Sequence, residues 1–450
     1  MTISPSSSEA AIAAAFHSAL NSATKPRPGS PAMRKVQTKR PGVARDEVRP
    51  WLSDCVLDDK GRPIANIANA GHVLRCDPAL ATLLAYDEMS SSVVLRAPLP
   101  EISNPDALPD EGFRPREVTD TDIIALLEYL QLTGLPRLGK GDLHDALKKR
   151  SRECAFHPVR EYLDELVWDG THRVTFWMHT YLGAERARYT SVIGRKFLLA
   201  MMARIFIPGC KADYMLVLEG PQGAMKSTAC RILGGDWFSD NMPDISVGKD
   251  AQLHLRGKWL IEIAEMSAVS KAEDNALKAF LSRDEERVRP PFERVEVSIP
   301  RQCVFIGTTN QSTYLRDETG GRRFWPVKVG KIDTDALIRD RDQLFAEALH
   351  LFRQGEDWWP DANFERDCIR PQQEERFECD SWEPAIVEYL IGKSRVLVSE
   401  VLRDAIRVEL SKTGMSENRR VRNVLTRQGW VQKRGTGGVR WYVPAQASGE

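Results

Sequence analysis

A glycine-rich segment between an apolar run and a helix-like stretch constrains the fold of this 450-residue chain more than any other feature. The apolar run covers residues 214–218. After Glu219 the segment reads Gly220, Pro221, Gln222, Gly223, Ala224, Met225, Lys226, Ser227 and Thr228. A strand, a glycine-rich turn and a helix in direct succession make an anion cradle from backbone N–H groups and the helix N-terminus. The order predicts an α/β core with a loop that binds phosphate groups.

With one exception, the segment fits the Walker A pattern of ATP-binding loops, G-x-x-x-x-G-K-[ST]. Lys226 would reach the β- and γ-phosphates, and Ser227 would offer its hydroxyl to Mg²⁺. The exception is Met225, which stands where the pattern has glycine and could crowd the phosphates. The alternative is a chance turn or a degenerate loop that binds no nucleotide. Because the flanking strand and helix patterns are present, we predict that the loop binds ATP with Mg²⁺.

Polar residues in and after two later apolar runs, 259–264 and 303–307, extend the predicted site. Ligands collect beyond the carboxyl ends of strands in open α/β sheets. Glu265 follows the first run and is therefore the preferred acid for the Mg²⁺ shell or for orienting the attacking water. Glu262 lies mid-strand and is either a second site acid or half of a buried pair. Asn310 follows the second run and would hold the γ-phosphate and the lytic water, unless it only forms an Asx-turn.

Arginines further along the chain are candidates for contacts to the transition state. Arg322 and Arg323 lie in the segment G-G-R-R-F-W-P, with Arg316 as a further candidate. A rigid, always charged guanidinium suits transferring phosphate oxygens, and it can come from the same chain or from a neighbouring subunit. Surface arginines are common, so the position after Asn310 carries this prediction.

A predicted hairpin lies between the two apolar runs. Residues 287–297 form two β-prone runs around a Pro-Pro turn, with Arg289, Phe292 and Arg294 near the tip. Arginines bind phosphates and an aromatic ring can stack on bases. We therefore predict a DNA contact through Arg289 and Arg294; the alternative is a purely structural hairpin.

The last segment, 381–450, has three helical patterns followed by two strand-like runs around a glycine-rich turn, which predicts a winged helix. It carries twelve Lys and Arg against seven Asp and Glu, so it is locally basic. The third helical pattern carries Arg419, Arg420, Arg422 and Arg427. In a winged helix this element enters the major groove, so these arginines are predicted to bind DNA. A domain that docks a protein is the alternative.

The composition of the chain indicates its domain organisation and its surroundings. The 63 Lys and Arg balance 63 Asp and Glu, so any nucleic-acid affinity must come from local patches. The predicted domains are a disordered basic tail (1–48), a mostly helical N-terminal domain (49–172), the core with its preceding helices (173–360), a linker (361–380) and the winged-helix-like domain (381–450).

The longest apolar run, 197–207, is too short to span a bilayer. Eight scattered cysteines favour a reducing compartment, and we expect a cytoplasmic protein.

Several ordered motifs together resemble the virulence-associated E family and, more distantly, superfamily 3 and poxvirus-type primase-helicases. They are G-P-Q-G-x-x-K-S-T, G-K-W-L-I-E-I-A-E-M, L-K-A-F-L-S-R, P-R-Q-C-V-F-I-G-T-T-N and G-G-R-R-F-W-P, within residues of about 115 to 355. The resemblance implies an AAA+-like P-loop NTPase core with a mostly parallel sheet that assembles into a homo-oligomeric ring. It implies the roles given above for Lys226, Ser227, Glu265, Asn310 and one of Arg322 and Arg323. It also places Lys278 where superfamily 3 proteins carry a lysine.

Such proteins are usually encoded by phages, prophages and other mobile elements, often beside or fused to a primase. The resemblance therefore implies an ATP-hydrolysing DNA helicase or translocase of mobile-element replication, acting on single-stranded or duplex DNA in a bacterial cytoplasm. The alternative is a DNA-binding initiator or regulator whose nucleotide site only switches conformation, or is inactive because of Met225. A P-loop kinase or metabolic NTPase is disfavoured by the basic C-terminal segment.

Overall fold

The computed structural model of the chain describes residues 50–100, 113–245, 248–264, 271–289, 295–315, 323–377, 380–409, 413–434 and 439–445. Among these residues no helix is long and apolar enough to cross a membrane. The described residues form an N-terminal domain, a central core and a C-terminal domain.

The N-terminal domain combines helices with a small sheet. Its elements are α1 (Ile67–Cys76), β1 (Leu84–Asp87), β2 (Ser92–Leu95), β3 (Arg116–Glu117), α2 (Asp120–Thr133), α3 (Lys140–Glu153) and β4 (Ala155–Phe156). The sheet order is β3-β2-β1-β4, with β4 parallel to β1 and the other pairs antiparallel. Helix α2 begins at a capping box, because Thr119 and Asp122 each bond the other's backbone N–H. Helices hold most of the regular structure here, as predicted, but the sheet was not predicted.

The core is a parallel sheet covered by helices on both faces. Its strands are β5 (Met215–Glu219), β6 (Phe238–Ser239), β7 (Leu260–Ile263), β10 (Val304–Thr309) and β11 (Phe324–Lys328). The sheet order is β11-β5-β10-β7-β6, and every pair is parallel. The predicted mostly parallel α/β core is therefore confirmed. A parallel sheet buried on both faces needs no polar alternation, and β5 is buried along its whole length.

The helices of the core cover the two faces of the parallel sheet. They are α4 (Pro158–Glu165), α5 (Trp177–Leu182), α6 (Arg188–Phe206), α7 (Lys226–Gly234), α8 (Lys249–His254), α9 (Lys271–Leu281) and α10 (Thr334–Arg353). One face buries Leu216 and Ile306 with residues of α6, α7 and α10. The other buries Val217 and Phe305 with residues of α8 and α9. Strands β8 (Glu285–Val288) and β9 (Val297–Pro300) pair antiparallel beside the core and flank the predicted hairpin segment 287–297, whose Pro-Pro turn lies outside the described residues.

The segment predicted as a linker, 361–380, belongs largely to the core. It contains α11 (Ala362–Phe364), a π-helical turn (Glu365–Ile369) and α12 (Arg370–Glu375). Phe364 and Ile369 are buried in the core, and Gln373 Nε2 donates to the Phe324 carbonyl at 2.8 Å. The linker prediction is therefore wrong up to residue 377, because apolar residues spaced along a mostly polar stretch bury one face of this helical segment.

The C-terminal domain has its own small core. Helix α13 (Glu383–Leu390), the short α14 (Val398–Glu400) with the π-helical turn Val401–Ala405, and α15 (Met415–Arg427) precede the antiparallel strands β12 (Trp430–Arg434) and β13 (Arg440–Pro444). Val401, Val421, Leu425 and Trp430 are buried together. The three predicted helical segments and the predicted terminal hairpin are confirmed.

Candidate functional site

The glycine-rich loop, residues 220–225, joins β5 to α7 at the carboxyl edge of the parallel sheet. The backbone N–H of Gly220 donates to the Thr309 carbonyl at 3.2 Å, and a Cβ at residue 220 would lie 2.9 Å from Val329 Cγ2. Gly223 has a φ of 81°. Met225 has φ 60° and ψ 24°, which is the left-handed region. A side chain at residue 220 would therefore require Val329 to shift, and the loop holds a methionine in a conformation that favours glycine.

Lys226, the first residue of α7, folds back over this loop. Its Nζ donates to the carbonyls of Gly220 at 2.8 Å and Pro221 at 2.9 Å, and to Asn310 Oδ1 at 2.9 Å. An ammonium group carries three protons, and these contacts use all three. Burial lowers the pKa of Lys226, and the nearby charge of Glu262 opposes that shift. The structure thus brings Lys226 and Asn310 together at the loop, as the predicted site requires.

Glu262 lies opposite Lys226 in β7 and is 1% exposed. Its Oε1 accepts hydrogen bonds from Ser227 Oγ at 2.6 Å and from Thr308 Oγ1 at 2.7 Å. Thr308 can reach it because β10 lies between β5 and β7. The other oxygen, Oε2, is sealed from solvent and has no hydrogen-bond partner within the described part of the chain. An orphaned carboxylate oxygen beside a serine hydroxyl is a donor set that suits Mg²⁺.

The structure therefore places the predicted second acid, Glu262, beside Ser227. Glu265 lies outside the described residues. Thr308 is a site residue that the sequence analysis did not single out, although it directly precedes Thr309 and Asn310. The sequence indicated a role for Glu262 because a carboxylate buried in an apolar strand requires polar partners.

The basic residues that the sequence analysis singled out after the loop, three arginines and Lys278, lie towards the opposite edge of the sheet or outside the described residues. Arg323 directly precedes β11, whose Phe324 pairs with Met215 at the start of β5, and its Nε donates to Ser282 Oγ at 2.8 Å. The length of β5 separates this edge from the loop by about 16 Å. Lys278 is buried with its Nζ 5.9 Å from the Phe324 ring. Arg323 thus lies at the edge away from the loop of its own chain, Lys278 lies near Phe324, and Arg316 and Arg322 lie outside the described part.

A buried ion pair holds the strand that leads into the loop. Arg376 Nε donates to the two oxygens of Glu219 at 2.9 and 3.2 Å, and Nη2 donates to Oε2 at 3.1 Å. Tyr314 OH donates to Glu219 Oε1 at 2.9 Å. The backbone N–H groups of Tyr314 and Leu315 donate to the Arg376 carbonyl. The sequence showed an acid at the end of an apolar strand, but nothing in the pattern identified its partner.

The predicted DNA contacts of the hairpin are only partly described. Arg289 is exposed and directly follows β8. Arg294 and the residues between 289 and 295 lie outside the described part. The structure therefore confirms the paired strands and places Arg289 at their outer end.

The four predicted arginines of α15 divide into two pairs. Arg419 and Arg422 are exposed. Arg420 binds Asp380 at 2.6 and 2.8 Å and lies 3.7 Å from the Trp382 ring centre. Arg427 Nη1 donates to Glu383 Oε2 at 2.6 Å. The second pair therefore fastens α15 to Asp380, which precedes the domain, and to the first residue of α13.

Comparison with known proteins adds a domain assignment. Residues 163–378 match the virulence-associated protein E-like domain. The matched domain begins in α4 and ends one residue after Phe377, so it contains the loop, Glu262, Asn310 and Arg376. A comparison with curated proteins finds no match.

Three solved structures of the NrS-1 C-terminal region are similar to the chain. An A form apo structure of residues 305–718 is 11% identical, with coverage of 84% of this chain and 99% of that chain and a TM-score of 0.41. A further apo structure of the same residues is 12% identical, covers 80% of this chain and 95% of that chain, and has a TM-score of 0.41. Another A form apo structure is 12% identical, with coverage of 80% of this chain and 96% of that chain, and has a TM-score of 0.42.

Proposed function

We propose that this chain is an ATP-hydrolysing DNA translocase or helicase of mobile-element replication. The observation that carries the proposal is the group of Lys226, Ser227, Glu262 and Asn310 around one glycine-rich loop, at the carboxyl edge of a parallel sheet. Ligands collect at this edge of α/β sheets, and a lysine, a hydroxyl, an acid and an amide are the parts that ATP hydrolysis uses.

The chain's own residues have separable roles in this proposal. Lys226 exchanges its bonds to the loop carbonyls for bonds to phosphate oxygens, which are stronger acceptors because they are charged. Asn310 orients the attacking water. Ser227 and Glu262 would hold Mg²⁺, which neutralises phosphate charge when bound. Because Arg323 lies at the far edge of the sheet, an arginine of this segment would act on the site of a neighbouring copy in a homo-oligomeric ring.

DNA contacts in the proposal come from two places. The hairpin of β8 and β9 carries Arg289 towards its tip. The C-terminal domain is proposed to be a winged helix that presents Arg419 and Arg422 of α15 to phosphates or bases. A primase or other replication protein would be the partner, and the bacterial cytoplasm the location.

One observation favours a second candidate function. Met225 carries a side chain in the left-handed turn directly before Lys226. A loop that binds ATP but turns it over slowly would suit a DNA-binding initiator or regulator that uses the nucleotide as a switch.

The test is ATP hydrolysis by the full chain with and without single-stranded and duplex DNA. DNA-stimulated hydrolysis is expected, and Lys226→Ala should lower it by at least about a hundredfold because a phosphate contact is lost. The matched control is Lys331→Ala, since Lys331 is exposed on the loop after β11. Turnover at the wild-type level in Lys226→Ala would refute the site, whereas ATP binding without DNA-stimulated hydrolysis would support the switch.

The choice of acid has its own test. Glu262→Gln keeps an oxygen that can accept from Ser227 and Thr308, so it should fold and bind ATP but lose hydrolysis. We expect Glu265→Gln to be the milder change in the same hydrolysis assay. The reverse order would restore Glu265 as the principal acid.

A further inference from the structure

Residues 310–315, which follow strand β10, contact the region of the glycine-rich loop twice. At one end of this segment Asn310 Oδ1 accepts from Lys226 Nζ at 2.9 Å. Near the other end Tyr314 is buried, and its hydroxyl donates to Glu219 Oε1 at 2.9 Å. Glu219 is the last residue of β5 and directly precedes the loop. The position of the segment therefore depends on the loop and on the strand that leads into it.

The same segment is paired with the residues that end the helical stretch after the core. Leu315 forms a parallel β-bridge with Phe377. The backbone N–H groups of Tyr314 and Leu315 donate to the Arg376 carbonyl at 3.0 and 3.1 Å. Leu315 is buried in the core, and Phe377 packs against the same residues. A displacement of the chain after Asn310 would therefore be felt at Phe377.

Phe377 also contacts the C-terminal domain. The guanidinium carbon of Arg427, in the last turn of α15, lies 5.3 Å from the centre of the Phe377 ring. Arg427 Nη1 also donates to Glu383 Oε2 at 2.6 Å. A cation near an aromatic ring is attracted to it only at short range, so a shift of the ring weakens the contact. Helix α15 thus rests on a residue that is paired with the segment after Asn310.

Phosphate binding at the loop would remove one anchor of this segment. Lys226 Nζ uses its three protons on the carbonyls of Gly220 and Pro221 and on Asn310 Oδ1. A phosphate group that binds Lys226 has to replace at least one of these bonds. The Asn310 amide is a side chain that can turn away, whereas the two carbonyls belong to the loop backbone. The bond between Lys226 and Asn310 therefore has two states, which coupling between distant sites requires.

We propose that a nucleotide whose phosphates occupy the glycine-rich loop loosens helix α15 through residues 310–315 and Phe377. The inference rests on the proposed nucleotide binding at the loop, but it needs neither hydrolysis nor DNA. Release of Asn310 removes one anchor of the segment. The β-bridge of Leu315 and Phe377 is then held less firmly, and the ring shifts beneath Arg427. Because coupling is reciprocal, a ligand that orders α15 would weaken nucleotide binding by the same factor.

The test is hydrogen–deuterium exchange of the full chain with and without a non-hydrolysable ATP analogue, whose binding is measured by calorimetry. Backbone amides of α15 should exchange at least about fivefold faster with the analogue bound, which is the lower end of typical couplings. Helix α2 of the N-terminal domain is the internal reference and should not change. Unchanged or slower exchange in α15, or an equal change in α2, would overturn the inference and leave nucleotide binding in place. Absence of analogue binding would refute both.

Substitutions at Phe377 test the contact with α15. Phe377→Leu keeps an apolar side chain but removes the ring, so the analogue should no longer change exchange in α15. Phe377→Tyr keeps the ring and should keep the response. The matched control is Trp382→Leu, which removes a different ring, 3.7 Å from Arg420 of the same helix, and should also keep the response. A response that survives in Phe377→Leu, or one that is lost in Trp382→Leu as well, would contradict the role of Phe377.

A second variant reproduces the occupied state without a ligand. Asn310→Ala removes the bond to Lys226, so α15 should exchange faster in the free protein, and the analogue should add little. Gln311→Ala is the control, because Gln311 is an exposed neighbour in the same segment. Exchange at the wild-type rate in Asn310→Ala would overturn the inference even if Phe377→Leu fails to fold.

Discussion

Met225 stores strain next to the lysine of the candidate site. A residue with a Cβ in the left-handed region costs about 1 kcal/mol, because the Cβ approaches a carbonyl oxygen. We therefore expect Met225→Gly to raise the thermal unfolding midpoint slightly and to leave ATP hydrolysis unchanged or increased. Met225→Ala retains the Cβ and is the control for loss of the side chain alone. A large loss of hydrolysis in Met225→Gly, but not in Met225→Ala, would show that the loop needs the strained backbone.

The residue scale also shows what the sequence could predict of the site. Lys226 and Ser227 follow a local strand, loop and helix pattern, so nine consecutive residues predicted their place. The choice between Glu262 and Glu265 depended on the order of strands, which brings Thr308 of β10 between β5 and β7. No local pattern gives that order. The contact of Glu262 with Ser227 therefore depends on sheet topology, and the prediction for Glu265 lies outside the described residues.

Among the elements, β5 and α12 depend on one buried ion pair. Glu219 and Arg376 are 5% and 9% exposed, so removal of the arginine leaves a buried carboxylate without its cationic partner. Arg376→Met should cost about 3 kcal/mol or more in the free energy of unfolding, measured by urea denaturation. Adding Glu219→Gln should recover part of that loss.

The exposed pair Arg366 and Asp367 provides the control for this experiment. Both side chains are more than half exposed, and the pair lies in the neighbouring π-helical turn. Arg366→Met should leave the urea midpoint near that of the wild type, because water screens an exposed pair. An equal loss in Arg366→Met and Arg376→Met would contradict the role given to burial.

Helix α15 carries two arginines that the proposal assigns to DNA and two that pair with acids of the same chain. Arg419→Ala with Arg422→Ala should weaken DNA binding and lower the slope of log affinity against log salt by about two, because each phosphate contact releases about one counterion. Arg420→Ala with Arg427→Ala should instead lower the thermal midpoint, since these residues pair with Asp380 and Glu383. Fluorescence anisotropy across a salt series and thermal denaturation measure the two effects. Unchanged affinity and slope in the first variant would favour a domain that docks a protein.

The same helix shows why the sequence could not tell which arginines form ion pairs within the chain. Its spacing predicted the helix, but Arg420 and Arg427 gain partners from residues about forty positions earlier. The prediction of a linker at 361–380 was wrong for a similar reason, because Phe364 and Ile369 are buried by residues distant in sequence. Local pattern gave the elements, and contacts distant in sequence decided which faces they expose.

Across the whole molecule, His157 fastens the N-terminal domain to the core. It is 4% exposed, its Nδ1 accepts from the Arg160 backbone N–H at 3.2 Å, and its Nε2 donates to Gln302 Oε1 at 2.6 Å. Gln302 Nε2 in turn donates to the Glu88 carbonyl at 3.2 Å. These bonds require a neutral ring, and burial lowers the pKa of His157. Protonation therefore opposes the folded state.

The sign of the pH dependence follows from that shift. The unfolded histidine titrates near its ordinary pKa of about 6.5 and binds protons before the folded one does. The free energy of unfolding should fall as the pH drops from about 7 to 5, by up to about 1.4 kcal/mol per pH unit. His157→Asn keeps an acceptor for Arg160 and should flatten the slope measured by urea denaturation. A residual slope is expected from His254, whose pKa burial also lowers; an undiminished slope would exclude His157.

The contact between Glu219 and Arg376 also has a consequence for how the chain is made. The two residues are 157 positions apart. A ribosome that adds about 5–20 residues per second needs roughly 8 to 30 s to cover that distance. During this interval the strand ahead of the glycine-rich loop has left the ribosome without the cation that neutralises its last residue. A nascent or truncated chain that stops before Arg376 therefore cannot complete this core, and it presents an unfinished sheet to chaperones and proteases.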